Sequence, residues 1–167
     1  MTNFSRILLT VSALVISIFG ALSFYYAAQD YVADSVIFNT DKNIAINGYD
    51  AVAYFDDGGP IIGIPEFQVD WAGSTWFFSN LGNRDKFAVK PDVYAPQFGG
   101  YDPVGIAQGY TNPSSPEHYI VFARQLFLFY TAESKEHWNE DRGTNMVLAT
   151  SNWAFLREDL LRIQNSQ

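Results

Sequence analysis

The feature that most constrains this chain is an uncharged stretch of 22 residues near its N-terminus, ILLTVSALVISIFGALSFYYAA at positions 7–28. A membrane-spanning helix needs about 20 predominantly apolar residues, so this stretch is long enough to cross a bilayer. A cleaved signal peptide is the alternative, but its apolar core is usually about 7 to 15 residues long. Here the stretch ends in Phe24, Tyr25 and Tyr26, aromatic residues that favour the membrane interface. We therefore predict an uncleaved transmembrane anchor at 7–28.

The charges on the two sides of this stretch predict its orientation. Arg6 precedes it, whereas Asp30 and Asp34 follow it, and positively charged flanks stay in the cytoplasm. We expect residues 1–6 to be cytoplasmic and residues 29–42 to form a linker. The remainder is then expected to fold on the periplasmic or extracytoplasmic side of the inner (plasma) membrane.

The chain after the anchor is acidic and lacks cysteine. Of the 10 Lys and Arg residues, Arg6 precedes the anchor. The chain after the anchor therefore has 9 basic residues and 18 acidic residues. Such an excess disfavours nucleic acid and anionic lipid headgroups, because both attract basic patches. Without cysteine the chain has no disulfides and no thiolate metal sites. The roughly 140 residues after the anchor suffice for one domain, which we place at 43–163.

Turn signals and apolar runs predict strands in the first part of this domain. The run AVAYF at 51–55 is rich in β-favouring residues and predicts a first strand before the turn that begins at Asp56. The segments 67–71 and 74–79 flank Ala72-Gly73, a two-residue connection typical of a hairpin.

A short helix and a long loop are expected next. Ser79 or Asn80 is a candidate N-cap for the helix, and Pro91 is expected to stop it. Residues 91–116 are rich in proline and glycine and predict a mostly ordered loop.

The C-terminal part predicts a second hairpin followed by two helices. The segments 117–123 and 126–130 surround Arg124-Gln125 and read as a hairpin with a very apolar second strand. Helices are expected at 134–141 and 144–163, with a break at Gly143. The apolar residues of the last helix recur at spacings of three and four, which puts them on one face that should cover the sheet: Met146, Ala149, Trp153, Leu156, Leu160 and Ile163. The predicted class is therefore α+β, a small antiparallel sheet of hairpins packed by C-terminal helices.

Several motifs occur in a characteristic order. They are Asn47-Gly48-Tyr49-Asp50-Ala51-Val52-Ala53-Tyr54-Phe55, Trp76-Phe77-Phe78-Ser79, Asn83-Arg84-Asp85-x-Phe87, Pro91-x-x-Tyr94-Ala95-Pro96-Gln97-Phe98-Gly99-Gly100-Tyr101, Pro116-Glu117-His118, the Leu126 to Tyr130 run and Asn152-Trp153. This order resembles the YHS-domain family in its longer, exported form. The resemblance implies a link to heavy-metal handling, copper especially, that rests mainly on cysteine-bearing relatives. Those exported relatives typically carry a cysteine after Gly-Gly-Tyr, where this chain has Asp102. Because Cu(I) prefers sulfur ligands, the substitution weakens the expectation of a copper site.

Candidate site residues fall into two chemical groups. Aromatic residues could line a small-ligand pocket or a partner surface, expected between the Gly99-Gly100-Tyr101 turn and the first strand. Polar residues could bind a metal, with Asp102 and His118 joined by Asp50 or Glu117, or could be ordinary surface residues near turns. The candidate ligand-binding or partner-binding residues are Tyr49, Asp50, Tyr54, Trp76, Tyr94, Tyr101, Asp102 and His118.

The sequence lacks the usual signatures of catalysis. There is no cysteine, no Gly-x-Ser-x-Gly motif, no phosphate-binding loop and no dinucleotide fingerprint. We therefore predict a non-catalytic protein without a cofactor. It would act as a docking module or accessory subunit for a membrane protein or membrane complex, and would not bind nucleic acid. A periplasmic metal-binding or small-ligand-binding protein is the alternative.

Overall fold

The computed structural model describes residues 43–56 and 58–164. The predicted cytoplasmic segment at 1–6, the anchor at 7–28 and the linker at 29–42 lie outside these residues. Within the described residues, no helix combines the length and the apolar character that crossing a membrane requires.

The described residues form an α+β domain with four strands and six short or medium helices. The strands pair as two separate antiparallel hairpins, β1 with β2 and β3 with β4, where the sequence predicted one sheet. The elements in chain order are a first 3-10 turn (Ala45–Gly48), α1 (Ala53–Asp56), β1 (Ile64–Trp71), β2 (Ser74–Phe78), α2 (Leu81–Val89), α3 (Pro91–Tyr94), a second 3-10 turn (Gln97–Gly100), α4 (Pro103–Ala107), β3 (Ser115–Phe122), β4 (Gln125–Phe129), α5 (Ala132–Glu140) and α6 (Arg142–Gln164).

Both predicted hairpins are present. Ala72 and Gly73 connect β1 to β2, and both have positive φ, as the tight turns that match the twist of paired strands require. Ala123 and Arg124 connect β3 to β4 in the same way. The second connection therefore lies one residue earlier than the predicted Arg124-Gln125 pair.

The predicted helix boundaries are close to the observed ones. Asn80 caps α2, because its side chain accepts a hydrogen bond from the Asn83 N–H at 2.9 Å. The helix ends at Val89, before Pro91, as expected. The break between the last two helices is at Asp141 and not at Gly143, since α6 already begins at Arg142.

Two predictions about the middle of the domain were wrong. Residues 51–55 do not form a strand; α1 occupies Ala53–Asp56. The reason is local turn chemistry, because the Asp50 side chain accepts hydrogen bonds from the Val52 and Ala53 N–H groups and so starts a helical turn. The predicted loop at 91–116 also contains α3, α4 and the second 3-10 turn.

The domain is built from two copies of one unit. Residues 43–90 (repeat 1) and residues 95–141 (repeat 2) each contain a 3-10 turn, a short helix, a hairpin and a capped nine-residue helix, in that order. Ile46 and Phe98 occupy the same place in the two 3-10 turns, with φ of 42° and 53°. These are positive values that non-glycine residues rarely adopt, so their recurrence marks a shared backbone design.

Strand register and sequence show the same correspondence. In repeat 1 the register shifts between Ile64 and Gln68 of β1, and in repeat 2 it shifts between Ser115 and Tyr119 of β3. The residues that are identical at equivalent places are Gly48-Tyr49-Asp50-x-Val52 with Gly100-Tyr101-Asp102-x-Val104, Pro65-Glu66 with Pro116-Glu117, Ala72 with Ala123, and Phe78 with Phe129.

Two hydrophobic cores lie on opposite sides of β4. Leu126 and Leu128 point into core 1, together with Trp76, Phe78 and Phe87 of repeat 1. The alternate residues of the strand point into core 2, which α6 closes: Phe127, Phe129, Trp138 and Ala149, with Met146, Trp153, Leu156 and Leu160 packed against them. The predicted apolar face of the last helix is therefore confirmed except at Ile163, which is exposed.

Candidate functional site

Asp50 is a fully buried carboxylate whose hydrogen-bonding capacity is used inside repeat 1. Its Oδ1 accepts from the N–H groups of Val52 and Ala53. Its Oδ2 accepts from the Ser79 N–H at 2.8 Å, the Ser79 hydroxyl at 2.7 Å and the Asn83 amide at 2.8 Å. Five hydrogen-bond donors surround this side chain. Asp50 therefore links the start of α1 to the end of β2 and to α2 through hydrogen bonds.

Asp102 is the equivalent carboxylate of repeat 2 and is only 3% exposed. The Ser134 hydroxyl lies 2.7 and 2.8 Å from its two oxygens and donates to them. The Val104 N–H donates to Oδ1 at 3.3 Å, and backbone groups of Gly105 and Tyr130 also hydrogen-bond to this carboxylate. Burial raises the pKa of Asp102 above its ordinary value, and these hydrogen bonds oppose part of that rise.

The donors of the two carboxylates come from equivalent places. Ser79 and Tyr130 each follow the last residue of the second strand of their hairpin, and Asn83 and Ser134 are each the third residue of the helix that follows. The carboxylate at 102 therefore has the structural role that Asp50 has in repeat 1. Both side chains fasten a unit together.

Tyr54 joins the two repeats. It is buried, its hydroxyl donates to the Pro116 carbonyl oxygen at 2.9 Å, and its ring meets that of Tyr119 edge-on, with centroids 4.9 Å apart. Burial, helped by neighbouring tyrosines, raises the pKa of Tyr54 well above the usual range. Its phenol is therefore a hydrogen-bond donor and not a proton carrier at neutral pH.

The other aromatic candidates are also packing residues. Trp76 lies inside core 1, where its indole N–H donates to the Trp71 carbonyl oxygen at 3.1 Å. Tyr49 and Tyr94 are half-buried against the same core. Tyr101 belongs to core 2, and burial raises its pKa.

The polar candidates do not assemble into a metal site. His118 lies half-buried in β3, within the segment where the register shifts. Over residues 43–56 and 58–164, no three His, Asp or Glu side chains lie close enough to hold an ion. Asp102 and His118 are therefore not joined there by Asp50 or Glu117.

A groove lies at the first 3-10 turn, not at the predicted place beside Gly99-Gly100-Tyr101. It has a volume of about 430 Å³, and none of the predicted site residues lines it. Its walls are mostly apolar and consist of Ile44, Asn47, Gly48, Ile62, Gly63, Pro65 and Phe77.

A second apolar surface lies on α6, away from core 2. Val147 and Phe155 are 66% and 73% exposed, and Leu148 is also exposed. Because 148 and 155 are seven positions apart, they point in nearly the same direction from the helix axis. Val147 precedes Leu148 and lies about 100° from it around the helix axis. We call these three residues the α6 stripe. The only sequence signal of this surface is the presence of apolar residues outside the predicted core-facing side of the helix.

Comparisons of the chain with protein-family models, with curated proteins and with solved structures found no match.

Proposed function

We propose that this chain is a membrane-anchored, non-catalytic protein whose YHS-like outer domain docks on another membrane protein as an accessory subunit. The observation that carries the proposal is the α6 stripe, a cluster of exposed apolar side chains on the longest helix. Two of the polar residues that the sequence suggested for binding, Asp50 and Asp102, are by contrast hydrogen-bonded within the fold.

The composition of the stripe suits a protein contact. Fully burying a large apolar side chain is worth about 1.5 to 3 kcal/mol, and phenylalanine, the residue at position 155, is enriched in the cores of protein interfaces. The stripe is supported by a rigid platform, because the opposite face of α6 packs in core 2 through Ala149 and Trp153.

The surroundings of the stripe indicate the chemistry of the partner. Charged side chains of both signs are exposed along α6, where Glu158 and Asp159 pair with Arg162. A complementary partner surface is apolar at its centre and polar at its rim. An N-terminal anchor would keep the domain near such a partner and raise its effective concentration.

Extraction in mild detergent followed by native sizing tests this proposal. The wild-type chain should migrate in a complex with a stoichiometric companion. The double variant Val147→Ser/Phe155→Ser should migrate as the isolated chain with an unchanged melting temperature, because both side chains are solvent-exposed.

The matched control removes comparable apolar surface elsewhere. Leu81 and Val89 are exposed on α2, and Leu81→Ser/Val89→Ser should leave the complex intact. A wild-type chain that migrates alone, or a complex that both double variants disrupt equally, would contradict the proposal.

A further inference from the structure

The groove lies on a face whose counterpart in repeat 2 is covered. Trp76 and Phe78 point into core 1, so the intervening Phe77 points to the other side of its hairpin. The equivalent residue of repeat 2 is Leu128, which is fully buried. The same position is thus closed in one repeat and lines an open groove in the other.

In repeat 2 the residues just before the 3-10 turn help to cover this face. Tyr94 and Ala95 immediately precede Pro96 and pack in core 1 with Leu126 and Leu128. Pro96 itself bridges to Leu126 as an isolated parallel pair. The chain therefore runs across the face of β4 before it enters the turn.

In repeat 1 the residues before the 3-10 turn pair with the equivalent position of β2. Ile44 bridges to Thr75 in the same parallel manner, and the Thr75 N–H donates to the Asn43 carbonyl oxygen at 2.8 Å. Ile44 also lines the groove. Whatever precedes Asn43 therefore enters at the edge of the groove.

The predicted linker before Asn43 contains an apolar cluster, Val36-Ile37-Phe38, separated from Asn43 by the polar residues Asn39 to Lys42. Phe38 is six residues from Ile44, a distance of at most about 20 Å for an extended chain. The cluster can thus reach the groove, and its side chains match the apolar walls formed by Ile62 and Phe77.

We propose that Val36-Ile37-Phe38 packs into the groove and covers the face of β2 on which Phe77 lies.

Disulfide trapping in the full-length chain tests this inference, and the absence of native cysteine makes it clean. Ile37→Cys/Ile62→Cys joins the cluster to an exposed groove residue and leaves Phe38 and Phe77 in place. Under mild oxidation in native membranes, the intrachain disulfide should form at least fivefold faster than in the control Ile37→Cys/Val147→Cys. Adding Phe38→Ser should reduce the rate at least threefold.

Other results would overturn the inference. An intrachain rate no higher than the control means that the cluster does not occupy the groove. Mainly interchain disulfides would assign the groove to a second copy of the chain. The trapping does not depend on the α6 stripe, so Val147→Ser/Phe155→Ser should leave the Ile37–Ile62 rate unchanged, and failure here is distinguishable from failure of the docking proposal.

Discussion

Asp102 lies 52 residues after Asp50 and performs the same task in the second copy of a repeated unit. Each carboxylate is buried at the start of a short helix and accepts hydrogen bonds from the end of a hairpin and from the helix that follows. Each repeat is thus stabilised by an equivalent buried hydrogen-bond network, centred on Asp50 in repeat 1 and on Asp102 in repeat 2.

Replacing Asp50 should strongly destabilise the domain. In Asp50→Asn an amide N–H₂ replaces one oxygen and meets groups that are themselves donors, such as the Ser79 and Asn83 side chains. Because hydrogen bonds to a charged group contribute about 1.5 to 3 kcal/mol and buried unpaired donors are costly, we expect the free energy of unfolding to fall by about 3 kcal/mol. Urea denaturation measures this. The exposed control Asp92→Asn should change it by less than about 0.5 kcal/mol.

The stability contributed by Asp102 should depend on pH in a defined direction. Since burial raises its pKa above 3.8, the folded state binds this proton more tightly than the unfolded state does. The folded state therefore gains stability as the pH falls through the raised pKa towards 3.8, and loses it as the pH rises. Relative to the non-titrating Asp102→Asn variant, the wild type should gain unfolding free energy between about pH 7 and pH 4. If the difference in unfolding free energy between the wild type and Asp102→Asn stays constant over this range, or changes in the opposite direction, the pKa of Asp102 is not raised in the folded state.

Removing the Tyr54 hydroxyl should loosen the contact between the repeats. Tyr54→Phe keeps the ring beside Tyr119 but leaves the buried Pro116 carbonyl without this donor. The expected loss is about 1 kcal/mol in the free energy of unfolding. Tyr130→Phe, at an exposed ring, is the control and should be neutral in the same thermal or urea denaturation.

Gly63 should tolerate no side chain. A Cβ at this position would lie 2.6 Å from the Phe77 carbonyl oxygen and from the Phe78 nitrogen. Because these are backbone atoms of β2, the hairpin must shift, and we expect Gly63→Ala to cost about 2 kcal/mol or more. Gly59→Ala, whose nearest neighbour would be the Tyr119 hydroxyl at 3.8 Å, should unfold like the wild type. If the two variants are equally stable, the β2 backbone can shift to accept a Cβ at position 63 at little cost, and the prediction is wrong.

Features that depend on neighbouring residues were predictable from the sequence. Both hairpins, the helix cap predicted at Ser79 or Asn80 and most of the apolar face of α6 follow from turn residues and periodicity, although the second hairpin turns one residue earlier than predicted. The conformation of segment 51–55 was not predictable in this way, because the hydrogen bonds of Asp50 override its β-favouring composition.

The role of the candidate site residues could not be predicted from local patterns. Carboxylates are rarely fully buried, and the donors that make burial possible for Asp50, on Ser79 and Asn83, lie 29 and 33 residues away. The duplication had a sequence signal, the two Gly-Tyr-Asp-x-Val motifs beginning at Gly48 and Gly100. Few other residues are identical between the two repeats.

Site-specific photo-crosslinking in intact membranes tests the docking proposal most directly. A photoreactive residue at position 155, in the α6 stripe, should yield one discrete adduct with a different membrane protein. The same residue at position 89, equally exposed on α2, should yield none. No adduct from position 155, or the same diffuse adducts from both positions, would contradict the account.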